Sequence, residues 1–225
     1  MADPAGRLAH VAVIFDLDGT LIDSAPDIHA TANRVMATMG FAPLTRTEVQ
    51  AYVGKGMPNL VARLLEHHGQ APEGPLLAPA MARFQTEYLT AHSLTTLYPG
   101  VTLALDHLAA AGAALGLCTN KPIAPAHAVM DHLGLSRHFT AVLGGDSLPI
   151  RKPDPEHLHA TTRKMMRPKV IFVGDSEVDS ETAQAAGIPF LLFTEGYRKA
   201  ALADIFHTAA FSDWATLPGL VETYA

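Results

Sequence analysis

Five short stretches of this 225-residue chain are apolar with almost no alternation: VAVIF (11–15), AALGLC (113–118), TAVLGG (140–145), KVIFVG (169–174) and PFLLF (189–193). A strand with one wet face alternates apolar and polar residues, so near-continuous runs of this length belong to strands covered on both faces. Between the last four lie segments of helical character, PIAPAHAVMDHLGL, DPEHLHATTRKMM and SEVDSETAQAAG, the last closed by Gly187 as a helix C-cap. Short strands alternating with helices build right-handed βαβ units. The pattern predicts an α/β fold with a five-stranded parallel sheet and helices on both faces.

The first strand departs from that rhythm. Some 75 residues separate it from LYPGVTLALDHLAAAGAALGLC, and the gap is helix-like throughout: APDIHATANRVMATMG, RTEVQAYVG, NLVARLLEHHG and PAMARFQTEYLTAH. Gly40, Pro43, Gly54, Gly56, Pro58, Gly69 and Pro72 punctuate it. A structureless loop of that length does not suit a compact domain. The chain is therefore expected to form a core domain from residues 1–20 and 96–225, with a helical subdomain, 21–95, inserted after the first strand.

Composition removes several function classes. The net charge is −6 and no Lys/Arg cluster offsets it, which argues against a nucleic-acid partner. The single Cys118 excludes an intramolecular disulfide and a multi-cysteine zinc site, and its setting in LGLCT is that of a buried thiol. The longest near-continuous apolar run, LAAAGAALGLC, has 11 residues, short of the roughly 20 that a membrane span needs. The N-terminal MADPAGRLAH lacks the basic-then-apolar order of a secretory leader. The expectation is a soluble cytoplasmic protein, with monomer and homodimer both open.

The polar residues fall at strand ends. The first run leads into Asp16, Leu17, Asp18, Gly19 and Thr20; the second into TNKP (119–122); the fourth into GDSEVD (174–179). After the third comes GGDSLPIRKPDP, which holds Lys152. Open parallel sheets bind ligands beyond the carboxyl ends of their strands, so these stretches are expected to meet at one edge. Residues two apart in extended chain face one side, which lets Asp16 and Asp18 share a site. Adding Asp175 crowds three carboxylates, a costly arrangement without a counterion. A hard divalent cation with oxygen ligands, Mg²⁺, resolves that repulsion, and the lack of His or Cys among these groups disfavours zinc. Cation, lysine and a Thr/Asn pair together suit a tetrahedral phosphate, and a carboxylate aimed at phosphorus is a potential nucleophile.

These motifs resemble those of the haloacid dehalogenase superfamily. DLDGT, Thr119 of CTN, Lys152 of RKPDP, and Asp175 with Asp179 of GDSEVD stand in the order and spacing of its four motifs. The resemblance implies a Rossmann-like three-layer core, with the insertion as a helical cap. It implies that Asp16 attacks phosphorus, and that Asp18 protonates the leaving oxygen and later activates water. Thr119 and Asn120 would hold phosphoryl oxygens, and Lys152 would offset the charge of nucleophile and phosphate. Mg²⁺ would be bound by Asp16, Asp175 and the backbone carbonyl of Asp18, with Asp179 orienting Lys152 from behind. An acid two residues after the nucleophile separates phosphoester chemistry from the superfamily's carbon–halogen chemistry, which has no leaving oxygen to protonate.

LYPGV, TNKP and GGDSLPIRKPDP also resemble bacterial phosphoglycolate phosphatases. That implies hydrolysis of a small phosphorylated metabolite, 2-phosphoglycolate. Another small phosphoester, or phosphoryl transfer of the β-phosphoglucomutase type, is the alternative. Within the insertion, YVGKGM (52–57) is a candidate substrate-reading loop. Its glycines let backbone approach a ligand, and Lys55 is its candidate for meeting a substrate carboxylate.

Overall fold

The computed structural model describes residues 6–225, so the first five residues of the leader reading and of the 1–20 core segment lie outside the described residues. The chain order is β1 (Val11–Phe15), β2 (Ile22–Asp23), α1 (Ala25–Thr38), α2 (Arg46–Gln50), α3 (Met57–His67), α4 (Leu77–Tyr88) and β3 (Thr96–Leu97). It continues with α5 (Val101–Ala110), β4 (Ala114–Cys118), α6 (Ile123–His132), β5 (Ala141–Leu143) and α7 (Pro155–Met165). Last come β6 (Lys169–Gly174), α8 (Glu177–Ala186), β7 (Phe190–Phe193), β8 (Ala209–Phe211) and α9 (Leu217–Tyr224).

The main sheet runs β5-β4-β1-β6-β7-β8, with every pairing parallel. All five expected strands are present, but the sheet has six, and the count of five is corrected by β8. That strand is only Ala-Ala-Phe; it lacks β-branched residues and owes its extended form to pairing with β7. The α/β class stands.

Both faces of the sheet are covered, and the two-residue period of a strand sorts the side chains. Val11, Val13 and Phe15 join Leu115, Leu117, Ile171 and Val173 in one core with residues of α5, α6 and α9. Ala12, Ile14, Cys118 and Phe172 pack the other way, against Leu158 and Met165 of α7 and Ala183 of α8. Gly116 makes that second layer close: a Cβ there would lie 2.5 Å from the Met165 sulfur.

The insertion between β2 and β3 has its own core. On α3, Met57, Leu60, Val61, Leu64 and Leu65 are buried, one stripe at helical spacing. They pack with Val35 and Met36 of α1 and Phe84 of α4. α2 starts at a reciprocal capping box, Thr45 with Glu48. The two passages between insertion and sheet run side by side: β2 pairs antiparallel with β3, and buried Asp27 accepts from the Leu94 N–H (2.9 Å) and the Thr95 hydroxyl (2.7 Å). Among the described residues no helix is long and apolar enough to cross a membrane.

β1 sits at the point where the strand order reverses. The chain steps from it to β4 and β5 on one side, then returns to β6, β7 and β8 on the other. The crevice beyond its carboxyl end is thus flanked by the ends of β4 and β6.

Candidate active site

Sheet register brings the site together. Phe15 is level with Leu117 on β4 and with Val173 on β6. Asp16, Thr119 and Asp175 therefore leave the sheet within two residues of one another, and all three are buried.

Lys152 arrives from the loop after β5 and is 2% exposed. Its ammonium lies 2.8 Å from Asp16 Oδ1, a close ion pair, and donates to Asp179 Oδ1 at 2.6 Å. Burial pulls the lysine down, but Asp16 and Asp179 together hold it above the ordinary range. The second oxygen of Asp179 accepts from the Ser176 N–H (3.1 Å) and hydroxyl (2.6 Å) in the capping box that starts α8. Both its oxygens are thus engaged, one by Lys152 and one by the start of α8.

Asp175 accepts from the Thr20 hydroxyl (2.7 Å) and the Tyr197 N–H (2.6 Å). Gly19, at φ 86°, lets the β1 loop pass so close that a Cβ there would collide with the Asp175 carboxylate. Thr20 closes the DLDGT motif, whereas Tyr197 has no signal in the sequence and is found only by tertiary proximity.

Asp18 is turned to different partners. It accepts from the Ser24 hydroxyl at 2.6 Å and from Lys121 Nζ at 3.1 Å. The three carboxylates whose oxygens come within 4.8 Å of one another are those of Asp16, Asp175 and Asp179. The Asp18 carboxylate is not among them.

Electrostatics mark the group as short of positive charge. Burial pushes Asp16 up to about 6, with Asp179 adding to the rise and Lys152 opposing it. Burial, then Asp179 and Asp16, hold Asp175 well above the carboxylate range. Asp16, Asp18, Asp175 and Asp179 exceed Lys121 and Lys152 by two formal negative charges, the charge of one divalent cation. Hard carboxylate oxygens at this spacing fit such an ion.

A cavity of about 40 Å³ opens above Asp16, room for about three water molecules. Asp16, Asp18, Thr119, Asn120, Lys121 and Pro122 form its floor, while Ile28, Val53, Gly54, Gly56, Met57, Leu60 and Tyr88 of the insertion form its roof. The Thr119 hydroxyl accepts from the Lys121 N–H at 3.2 Å and keeps its own hydrogen to donate. The Asn120 side-chain amide spends both hydrogens, on the carbonyls of Gly54 and Lys152, each at 2.9 Å. These two bonds tie insertion to core, while the side-chain oxygen of Asn120 is buried without a partner.

Lys55 is exposed and forms no part of this lining. The cation on the wall is Lys121, buried at 6% exposure. It stands next to the candidates Thr119 and Asn120 in TNKP, and that adjacency was the available signal for it. Cys118, directly before them, is fully buried, and burial pushes its thiol up to about 12. It is a packing residue.

The chain is similar to known proteins. A sequence profile described as haloacid dehalogenase-like hydrolase matches residues 13–193. The phosphoglycolate phosphatase of Rhodobacter capsulatus is 49% identical over 94% of this chain and 96% of its own length. That of Cereibacter sphaeroides is 47% identical over 93% and 97%. A crystal structure of a predicted phosphoglycolate phosphatase from Haemophilus somnus superposes with a TM-score of 0.86 at 27% identity, covering 96% of this chain and 98% of that one.

Proposed function

The chain belongs to the haloacid dehalogenase-like hydrolases, and from that premise we propose that it hydrolyses 2-phosphoglycolate to glycolate and phosphate through an aspartyl-phosphate on Asp16. It is a phosphoric monoester hydrolase, in keeping with relatives of that activity at up to 49% identity. One observation carries the chemistry. Two acids two residues apart face one cavity but are held by separate partners, Asp16 by Lys152 and Asp18 by Ser24 and Lys121. Separate environments suit separate roles.

Asp16 attacks phosphorus, and the ester oxygen departs with a proton from Asp18. Asp18 then takes a proton from the water that attacks the aspartyl-phosphate; phosphate leaves and Asp16 is restored. Lys152, fixed by Asp179, offsets charge on Asp16 and the phosphoryl group, and the Thr119 hydroxyl donates to a phosphoryl oxygen. Asn120 contributes by position, holding the Lys152 loop to the floor. Asp16, Asp175 and the Asp18 backbone carbonyl would hold Mg²⁺, which when bound neutralises charge on the phosphoryl oxygens. Residues 21–95 act as a cap domain over the core of 1–20 and 96–225, keeping bulk water out during phosphoryl transfer. The small cavity supports a small substrate.

The test is a phosphate-release assay with 2-phosphoglycolate in Mg²⁺, in EDTA, and with Asp16→Asn. Turnover is expected only for the unmodified protein with Mg²⁺. Full activity of the Asn variant would overturn the mechanism, and stronger turnover of larger phosphoesters would overturn the substrate.

A further inference from the structure

Lys121 is the one positive charge among the residues lining the cavity, and the mechanism above gives it no part beyond holding Asp18. Its side chain is 3% exposed, so its ammonium is held at the cavity rather than spread over the surface. Nature rarely buries a lysine without giving its hydrogens partners. Two partners are in place: the Asp18 carboxylate, with Oδ1 at 3.1 Å and Oδ2 more loosely at 3.5 Å, and the Tyr88 hydroxyl, with which Nζ is in direct contact. An ammonium has three hydrogens, and with the two Asp18 oxygens sharing one of them, a third is left over.

Tyr88 has the same surplus. Its hydroxyl oxygen accepts from Lys121, and among the described residues no acceptor is placed for its own hydrogen. Burial, then the nearby Asp18 and Asp27, hold the phenol well above its ordinary range, so it remains a donor. Around the pair the roof is apolar, with Ile28, Met57 and Leu60. An N–H and an O–H side by side in an apolar wall match the two oxygens of one carboxylate.

We propose that Lys121 and Tyr88 form the receptor for the substrate's carboxylate and are the residues that select a phosphorylated short hydroxy acid over phosphoesters that carry no carboxylate. The proposal rests on the reading of the protein as a 2-phosphoglycolate phosphatase and adds the residues that choose that substrate. The geometry fits its length: the carboxylate carbon of phosphoglycolate is two bonds from the ester oxygen. Asp18, which protonates that oxygen, is the neighbour of Lys121. The receptor takes one donor from the core and one from α4 of the insertion, so it is complete only when the two are seated together. A phosphoester without a carboxylate would leave one hydrogen on each donor buried and unpaired, which is the strongest form of discrimination a small pocket has.

The test compares kcat/KM for 2-phosphoglycolate and for 2-hydroxyethyl phosphate, which carries an alcohol in place of the carboxylate. The wild type is expected to favour phosphoglycolate by about a hundredfold or more. Lys121→Met and Tyr88→Phe should each shrink that ratio, Lys121→Met to about tenfold or less, with the loss falling mainly on KM for phosphoglycolate. A residue that acted only through Asp18 would slow both substrates alike and leave the ratio unchanged. An unchanged ratio in both variants overturns the inference while the substrate reading stands. A wild type with no preference for the carboxylate overturns the substrate reading, and this inference with it. Should Lys121→Met fail to fold by circular dichroism, Tyr88→Phe, which removes one oxygen, supplies the same readout.

Discussion

His157 offers a quantitative test of the scaffold behind the site. It is fully buried on α7, and its Nε2 is 3.1 Å from the carbonyl of Gly144, at the start of the loop that carries Lys152. With Nε2–H donating there, Nδ1 is left as a buried atom without a partner. A second proton would have to sit on Nδ1 with nothing to accept it. Burial therefore lowers the imidazole from 6.5 to about 4, with Lys152 and Arg151 adding to the fall. The unfolded chain binds this proton below about 6.5 and the folded chain only below about 4, so stability rises with pH across that window. The contribution is fully present above 6.5 and is lost as pH falls towards 4. At pH 5 the loss relative to pH 8 is about 2 kcal/mol. Other groups titrate over the same range, so the measurement is a difference between wild type and His157→Gln, which keeps a donor for Gly144 but cannot be protonated. Trp214 is the single tryptophan and is buried, which makes its fluorescence a reporter of urea unfolding. Between pH 8 and pH 5 the wild-type midpoint should fall by about 1 M urea more than the variant's. Parallel losses in the two proteins would refute the argument, because they would mean that His157 takes up its proton in the folded state at an ordinary pH.

Removing Lys152 should cost stability as well as activity. Lys152→Met leaves the buried carboxylates of Asp16 and Asp179 without their shared partner, a loss of about 3–5 kcal/mol. Urea unfolding in EDTA reads it, and a change below about 0.5 kcal/mol would contradict the burial of the pair. Mg²⁺ at a hundredfold excess over its dissociation constant should raise the melting temperature by about 5–10 °C. Asp175→Asn should abolish that rise. An equal rise in the variant would place the ion elsewhere.

The strand-end acids could be read from the sequence because their placement follows a local rule. An apolar run buried on both faces has to end where it meets a polar group, and in an open parallel sheet those ends share an edge. Asp16, Thr119 and Asp175 are visible for that reason. Lys55 and Lys121 show where this logic stops. Both follow a glycine-rich or amide-bearing loop residue, and sequence adjacency carries no information on which side chain turns inward. β8 shows the same limit for the fold: Ala209–Phe211 has no strand signature of its own, and a three-residue segment takes its conformation from the neighbour it pairs with.

By itself, then, the sequence determined the α/β class, the helical insertion and the set of acids, because hydrophobic period and strand length are properties of contiguous residues. Tertiary structure alone decided which oxygens each acid turns inward. It divided Asp16 and Asp18 between Lys152 and Lys121, and it engaged Asn120 as a tie. It also brought Tyr88 across from the insertion to Lys121, 33 residues away in the chain. These are choices among donors and acceptors distant in sequence, settled by the cost of leaving a buried polar group unpaired.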